Sequence, residues 1–292
     1  MTSSRYACID HDSKRVRKLD LKIDLNNPEQ IVTACRKYGC LFISSDDLSV
    51  DKFVSFNDSF TLQYANDAKR RSSLAIGKEK IRGVDPGRDA HQLHSEASFS
   101  PSWPRFITFF AKEPDQIRPA ATTLADGVNI WKKLSISSKS FFLKHPAVYE
   151  CAVPIAEAKP ETRASLKEYF FEEPGLINAT FNPKTGYLNF TQKRYCVTPT
   201  ITEELAFVTH AFHDPKDPQI LSVNFGGAVL PESVREEVLG VFESEIYEHK
   251  WDKQTIVMID NRRMMHGRRE IPEGSERELL IMQALKTKTQ RI

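Results

Sequence analysis

A β-rich fold flanked by helices is predicted by three features of this sequence. Its opening alternates strand, helix and strand signals punctuated by Gly39. Short runs of β-branched and aromatic residues recur at Cys40, Arg105, Thr255 and Leu279. One amphipathic helix follows Pro231. The chain has 292 residues, 40% hydrophobic and 27% charged, within range of a single large β-rich domain with a proper core. No internal repeat or low-complexity segment marks a boundary, so residues 1–292 read as one domain.

Residues 1–18 are polar and basic and predict an irregular start. Residues 19–25 alternate apolar and charged side chains, the mark of a half-buried strand. Pro28 suits a first helical turn, and the helix over residues 29–38 stops at Gly39. Residues 40–43 follow as a short buried strand, and residues 46–64 as a further helix. Residues 65–90 are dense in charge and glycine, and Lys69, Arg70 and Arg71 read as a solvated loop face. Residues 105–111 form a strand by their aromatic and β-branched content.

Residues 121–126 lead into a helix with Asp126 as N-cap and Val128, Trp131 and Leu134 at helical spacing. Residues 136–176 carry no pattern that places them. Residues 180–190 read as a hairpin turning at Pro183 to Gly186. Val234, Val238, Val241, Phe242 and Ile246 mark one helix face. Residues 255–259 and 279–282 are buried strands.

The 41 basic and 39 acidic residues leave a formal charge of +2, which gives no argument for nucleic acid or an anionic membrane as partner. The first residues lack the apolar run of a signal peptide, and no stretch nears the roughly 18 apolar residues that span a bilayer. Cys8, Cys35, Cys40, Cys151 and Cys196 are scattered, without Cys-x-x-Cys spacing. Reduced thiols in a cytoplasmic protein are expected, and no zinc cluster.

Chemistry concentrates in two stretches. On a strand, residues two apart share a face, so His94 and Glu96 would project together. An imidazole and a carboxylate are two of the three ligands of a facial metal triad. His-x-Glu is common by chance, and a partly exposed strand is the plain alternative. The second stretch runs from Asp260 to Arg268, beyond the strand at 255–259, where a loop can aim His266 inward as the third ligand. Arg277 opens the next strand and can grip a dicarboxylate end-on.

Gln92 shares the face of His94, as a substrate contact or a plain polar neighbour, whereas His91 would face away. His11, His145, His210, His213 and His249 are expected at the surface. Asp260 reads as a turn residue.

His94-x-Glu96, the pattern from Thr122 to Asp126, the Asp-Asn-Arg-Arg-x-x-His-Gly-Arg run at 260–268 and Arg277 together resemble the Fe(II)- and 2-oxoglutarate-dependent oxygenases. Within them the chain is similar to the taurine dioxygenase and clavaminate synthase branch, over roughly residues 20–290. The resemblance implies a double-stranded β-helix, or jelly-roll, core flanked by helices. It implies Fe(II) held by His94, Glu96 and His266, and 2-oxoglutarate held by Arg277 with help from Thr122. O2 and 2-oxoglutarate would be consumed, giving succinate and carbon dioxide as a small amino-acid-like or natural-product substrate is oxidised. Hydroxylation, desaturation or cyclisation is implied more readily than halogenation, because the carboxylate ligand is present.

One departure concerns the substrate. In several relatives a second arginine, four residues after the 2-oxoglutarate arginine, grips the substrate's anion; the matching residue here is Ile281. An anionic group is therefore bound elsewhere or absent, as in an amino acid tethered to a carrier protein. Arg105, Arg262, Arg263 and Arg268 are the candidate replacements, and Arg268 could equally make a structural ion pair. Two rivals remain, a zinc-bound or metal-free β-barrel that only binds a ligand, and a zinc hydrolase. The second lacks a His-Glu-x-x-His helix. The first leaves Arg277 and Thr122 without a purpose. Residues 65–90 and 136–180 are expected to close the mouth of the site.

Overall fold

The computed structural model describes residues 5–289 apart from 11–12, 14, 21–26, 66–79, 85–86, 116, 118–119, 155–174 and 213–219. The chain opens with β1 (Arg5–Asp10), β2 (Arg15–Leu19), α1 (Pro28–Tyr38), β3 (Cys40–Ser44), α2 (Val50–Phe60) and β4 (Thr61–Tyr64). Next come β5 (Arg82–Gly83), β6 (His91–His94), β7 (Phe106–Glu113), β8 (Thr122–Asp126), α3 (Gly127–Lys133) and α4 (Ile136–Lys144). The middle holds β9 (Ala147–Pro154), β10 (Leu176–Asn182), β11 (Tyr187–Arg194), β12 (Val197–Pro199), β13 (Leu205–Phe207) and β14 (Ile220–Asn224). Helix α5 (Glu232–Glu245), β15 (Tyr247–His249), β16 (Thr255–Asp260), β17 (Met264–Arg268) and β18 (Glu278–Thr287) complete it.

Two antiparallel sheets position the site. The larger has eight strands in the order β2-β1-β3-β16-β7-β18-β4, with β5 also on β18. The smaller has the order β15-β8-β17-β6. The central strands of the larger sheet, β3, β16, β7 and β18, are mostly apolar because both of their faces are covered. Along β7, Phe106 and Phe110 face α1 and α2, packing with Ile31, Phe53 and Phe60. The alternate residues Ile107, Phe109 and Ala111 face the smaller sheet, where they meet Leu124 of β8 and Met264 of β17. The smaller sheet is covered on its outer side too. Leu93, Ala125 and Met265 pack there with α3, α4, α5 and the sheet β10-β11-β9-β14. Full burial of one such side chain stabilises by about 1.5–3 kcal/mol, so this layering carries most of the stability.

Local signals explain the element ends. Asn27 caps α1 by accepting from the amides of Glu29 and Gln30, and Gly39 ends it at φ 78°. A Cβ on Gly39 would stand 2.8 Å from Met264 Sδ and 2.9 Å from Arg263 Nε. Asp126 caps α3, as its place before the helix suggested. The hairpin β10–β11 turns over residues 183–186, and α5 buries Val234, Val238 and Phe242, both as expected.

Three expectations differ. The first residues are not irregular, because β1 pairs with β3 and buries Tyr6 and Cys8. Of the strand expected over 19–25, Leu19 is the last residue of β2 and Asp20 is not in a strand; residues 21–25 lie outside the described residues, as do Lys69, Arg70 and Arg71. The helix expected to reach Tyr64 stops at Phe60, where β-branched Thr61 begins a strand that pairs with β18. The patternless stretch after residue 136 begins with α4 and β9, and residues 155–174 lie outside the described residues. All five cysteines are buried and free. No described helix is long and apolar enough to cross a membrane.

A buried ion pair locks the smaller sheet to its surroundings. Arg263, in the turn before β17, places Nη2 2.7 Å from Asp126 Oδ2, and its Nη1 donates to the Lys37 carbonyl at 2.8 Å. Removing one partner leaves an uncompensated buried charge, which costs about 3–5 kcal/mol. Arg263→Ala should lower unfolding free energy by that amount in urea titration; a change within experimental error would refute the role given to this pair.

Candidate metal centre and its cavity

Neighbouring strands of the smaller sheet carry the two histidines. His266 of β17 lies directly opposite His94 of β6, with imidazole centroids 4.5 Å apart. His266 thus sits within a strand, not on the loop the sequence suggested. The His94 Nδ1–H donates to the Gln92 carbonyl at 2.8 Å, which fixes the tautomer and aims the Nε2 lone pair inward.

Glu96 is not on the same strand, because β6 ends at His94 and the chain turns through Ala97 at φ 51°. The turn nevertheless returns its carboxylate to the histidines. Glu96 Oε2 lies 3.8 Å from His94 Nε2 and 3.4 Å from His266 Nε2. One ligand atom from each of the three lies within 4.8 Å of the others. Octahedral donors about 2.1 Å from an ion are about 3 Å apart, so small movements would seat a cation here. Two imidazoles and one carboxylate are the donor set of non-haem Fe(II).

A β-bulge reshapes the rest of this wall. On β17 the residues His266 and Arg268 are two apart, yet their partners His94 and His91 are three apart. The extra residue inverts the alternation. His91 therefore lines the cavity, contrary to expectation, while Gln92 is exposed and does not line it. Gly267 permits this approach, since a Cβ there would stand 2.4 Å from the His91 carbonyl oxygen and 3.0 Å from that of Gln92.

The cavity encloses about 450 Å³ with its open mouth and lies between the two sheets. The smaller sheet contributes His91, His94, His266, Arg268 and Thr122, and the larger contributes Phe109, Leu279 and Ile281. Arg277 enters just before β18. Its Nη1 donates to the Ala120 carbonyl at 2.8 Å, while its buried Nε has no partner among the described residues. Burial, with Arg268 nearby, pulls its pKa down to about 10, so it remains a cation at neutral pH. A largely buried cation with an unused donor favours an anion beside it. Thr122 lies opposite Arg268 across the β8–β17 ladder, and its Oγ1 accepts from the Trp251 indole at 2.8 Å.

Of the four candidate replacement arginines, only Arg268 lines the cavity. Its Nε donates to the Asp89 carbonyl at 2.9 Å. Arg105 pairs with Asp260, Arg262 lies over the Trp103 ring, and Arg263 pairs with Asp126. Asp260 ends β16 and accepts from the Arg262 amide, as a turn residue should.

Two of the histidines expected at the surface are buried instead. His210 packs its edge on His94 at 4.9 Å and donates from Nδ1 to the Ser95 carbonyl at 3.2 Å. Burial first, then the neighbouring His94, pulls its pKa down to about 3, so it is neutral. His249 stands against Trp251 at 4.5 Å, and burial pulls its pKa down to about 4. Nothing in their local sequence marks either one. His11 and His213 lie outside the described residues.

Several solved structures share this architecture. A taurine dioxygenase from Burkholderia xenovorans aligns with TM-score 0.59 at 14% identity, covering 93% of this chain and 84% of that one. AAD-2, solved with Mn(II) and N-oxalylglycine, aligns at 0.57 and 18% identity, covering 91% of each chain. A putative α-ketoglutarate-dependent 2,4-D dioxygenase from the same Burkholderia species aligns at 0.53 and 19%, covering 91% of this chain and 92% of that one. No curated protein matches the chain significantly. A family profile places the chain among the non-haem oxygenases that use 2-oxoglutarate (α-ketoglutarate), Fe(II) and O2. The profile of the taurine catabolism dioxygenase TauD, TfdA family matches residues 13–283, and the chain belongs to that family.

Gly267→Ala tests the close approach of β6 and β17. It should weaken Fe(II) binding at least about tenfold, as disturbed ligand supports do. Gly240→Ala, with open space around it in α5, should leave binding unchanged. Anaerobic equilibrium dialysis measures both, and wild-type affinity in Gly267→Ala would contradict the packing described.

Proposed function

We propose that residues 1–292 form one oxygenase domain with a double-stranded β-helix (jelly-roll) core. The enzyme oxidises an unactivated C–H bond of a small amino-acid-like or natural-product substrate. The observation that carries this reading is the triad His94, Glu96 and His266 in one cavity with the half-buried cation Arg277.

In this reading the triad holds Fe(II), which with 2-oxoglutarate and O2 supplies the oxidising chemistry and yields succinate and carbon dioxide. Arg277 takes the distal carboxylate of 2-oxoglutarate through charge-assisted hydrogen bonds. Thr122 Oγ1 already accepts from Trp251, which leaves its own hydrogen to donate to the same carboxylate. Phe109, Leu279 and Ile281 keep water from the buried end.

Ile281 offers no charge to a substrate anion, so Arg268 takes the polar end of the substrate, with His91 beside it on the same wall. The substrate is a small molecule, free or tethered to a carrier, with neither nucleic acid nor membrane involved. Five buried free thiols support a cytoplasmic setting.

Anaerobic addition of Fe(II) and then 2-oxoglutarate to metal-free protein should produce a weak visible charge-transfer band only when both are present. His94→Ala and His266→Ala should lose Fe(II) binding and the band. Arg277→Ala should keep Fe(II) but bind 2-oxoglutarate about thirtyfold more weakly, about 2 kcal/mol for one lost partner of a buried charge pair. No band from folded, Fe(II)-bound protein would overturn the reading. Succinate release with free and carrier-tethered amino acids then separates the two substrate forms.

A further inference from the structure

Glu96 is the one ligand of the triad that no strand holds. His94 and His266 sit in the β6–β17 ladder, but β6 ends before Glu96. The side chain of Asn261 occupies the place a partner strand would take. Its Oδ1 accepts from the Glu96 amide at 2.9 Å, and its Nδ2 donates to the Glu96 carbonyl at 3.0 Å. One donor and one acceptor facing a single residue reproduce the grip of an antiparallel ladder. Nδ2 also donates to the Pro104 carbonyl at 2.9 Å, closing the far end of the same loop. Asn261 is fully buried. Its own carbonyl accepts from Ser95 Oγ at 2.8 Å, and Ser95 Oγ in turn accepts from the Trp103 indole at 2.9 Å.

We infer that Asn261 is a positioning residue for the carboxylate ligand, its amide standing in for the missing strand and setting where Glu96 meets the imidazoles. The inference rests on the metal centre proposed above. Only an amide fits the role. An aspartate has acceptors alone and would turn a charged oxygen onto the Glu96 and Pro104 carbonyl oxygens. With the loop held beforehand, metal binding need not order it, so the clamp appears as metal affinity.

Two measurements test this. In metal-free wild type, hydrogen exchange at the Glu96 amide should be slowed far below the rate of an unstructured peptide, as in a ladder. Asn261→Asp and Asn261→Ala should raise the Fe(II) dissociation constant about ten- to a hundredfold, the range for groups that orient ligands. They should also shift the ligand-field bands of Co(II)-loaded protein. Asn57→Asp is the control for core damage, since Asn57 is a buried amide bridging α2 and β7 away from the centre. It should leave affinity and bands unchanged.

Folded Asn261 variants with wild-type affinity, or a Glu96 amide exchanging freely, would overturn the inference. Were the variants not to fold, the exchange result on wild type alone decides. Wild-type protein that binds no Fe(II) refutes the metal centre instead, a failure that the exchange result keeps separate from that of the clamp.

Discussion

The register of β17 is the constraint on which the site depends. Strand side chains alternate, so a slip of one residue would turn His266 and Arg268 away from the cavity and bring Met265 and Gly267 into it. Three contacts hold the register. The ladder to β8 sets Arg268 opposite Thr122, and the ladder to β6 sets His266 opposite His94. At the start of the strand, Arg263 reaches both Asp126 and the end of α1. Gly267, bare of a side chain, lets the bulged β6 press against the middle. The residues around His266 in the motif therefore serve mainly to keep His266 in place.

The cavity concentrates charge that the fold must tolerate before any ligand arrives. Glu96 faces two imidazoles, and Arg277 and Arg268 line the same cavity. A cation at the triad and a dicarboxylate against Arg277 would each neutralise part of this arrangement. Apolar packing from Val84, Phe109, Leu279 and Ile281 raises the strength of those interactions by excluding water from that wall. The helices α1 and α2 take no part in this chemistry. They cover the outer face of the larger sheet, so its inner face can hold a polar pocket without loss of core.

Much of the architecture was legible because it rests on local rules. Gly39 as a helix stop, Asp126 as a cap, the hairpin at residues 183–186 and the stripe of α5 all follow from neighbouring residues. The triad was legible as residue types and spacing, though the reason offered for it was incomplete. Strand periodicity alone does not bring Glu96 to His94; a turn and Asn261 do. His91 and Gln92 exchanged places because a bulge is defined by pairing with a distant strand, which no local pattern records. β1 was missed for a similar reason, since a polar segment becomes a strand once β3 offers it an edge. His210 and His249 look like surface histidines in sequence and are buried by tertiary packing alone.

The triad's two kinds of ligand are supported in different ways, and this bears on how the site can vary. The histidines are fixed by backbone ladders, whose hydrogen bonds survive most side-chain changes. The loop that carries the carboxylate is held by the Asn261 amide on the Glu96 backbone, by the Ser95 amide on the Thr209 carbonyl and by contacts of Ser95 with Asn261, Trp103 and His210. Substitution of Asn261 therefore bears on the carboxylate while both imidazoles stay in register. The loop from Ser95 to Pro104 sets Phe99 and Trp103 into the core, so the carboxylate side of the centre is tied to the fold through side chains rather than through a ladder.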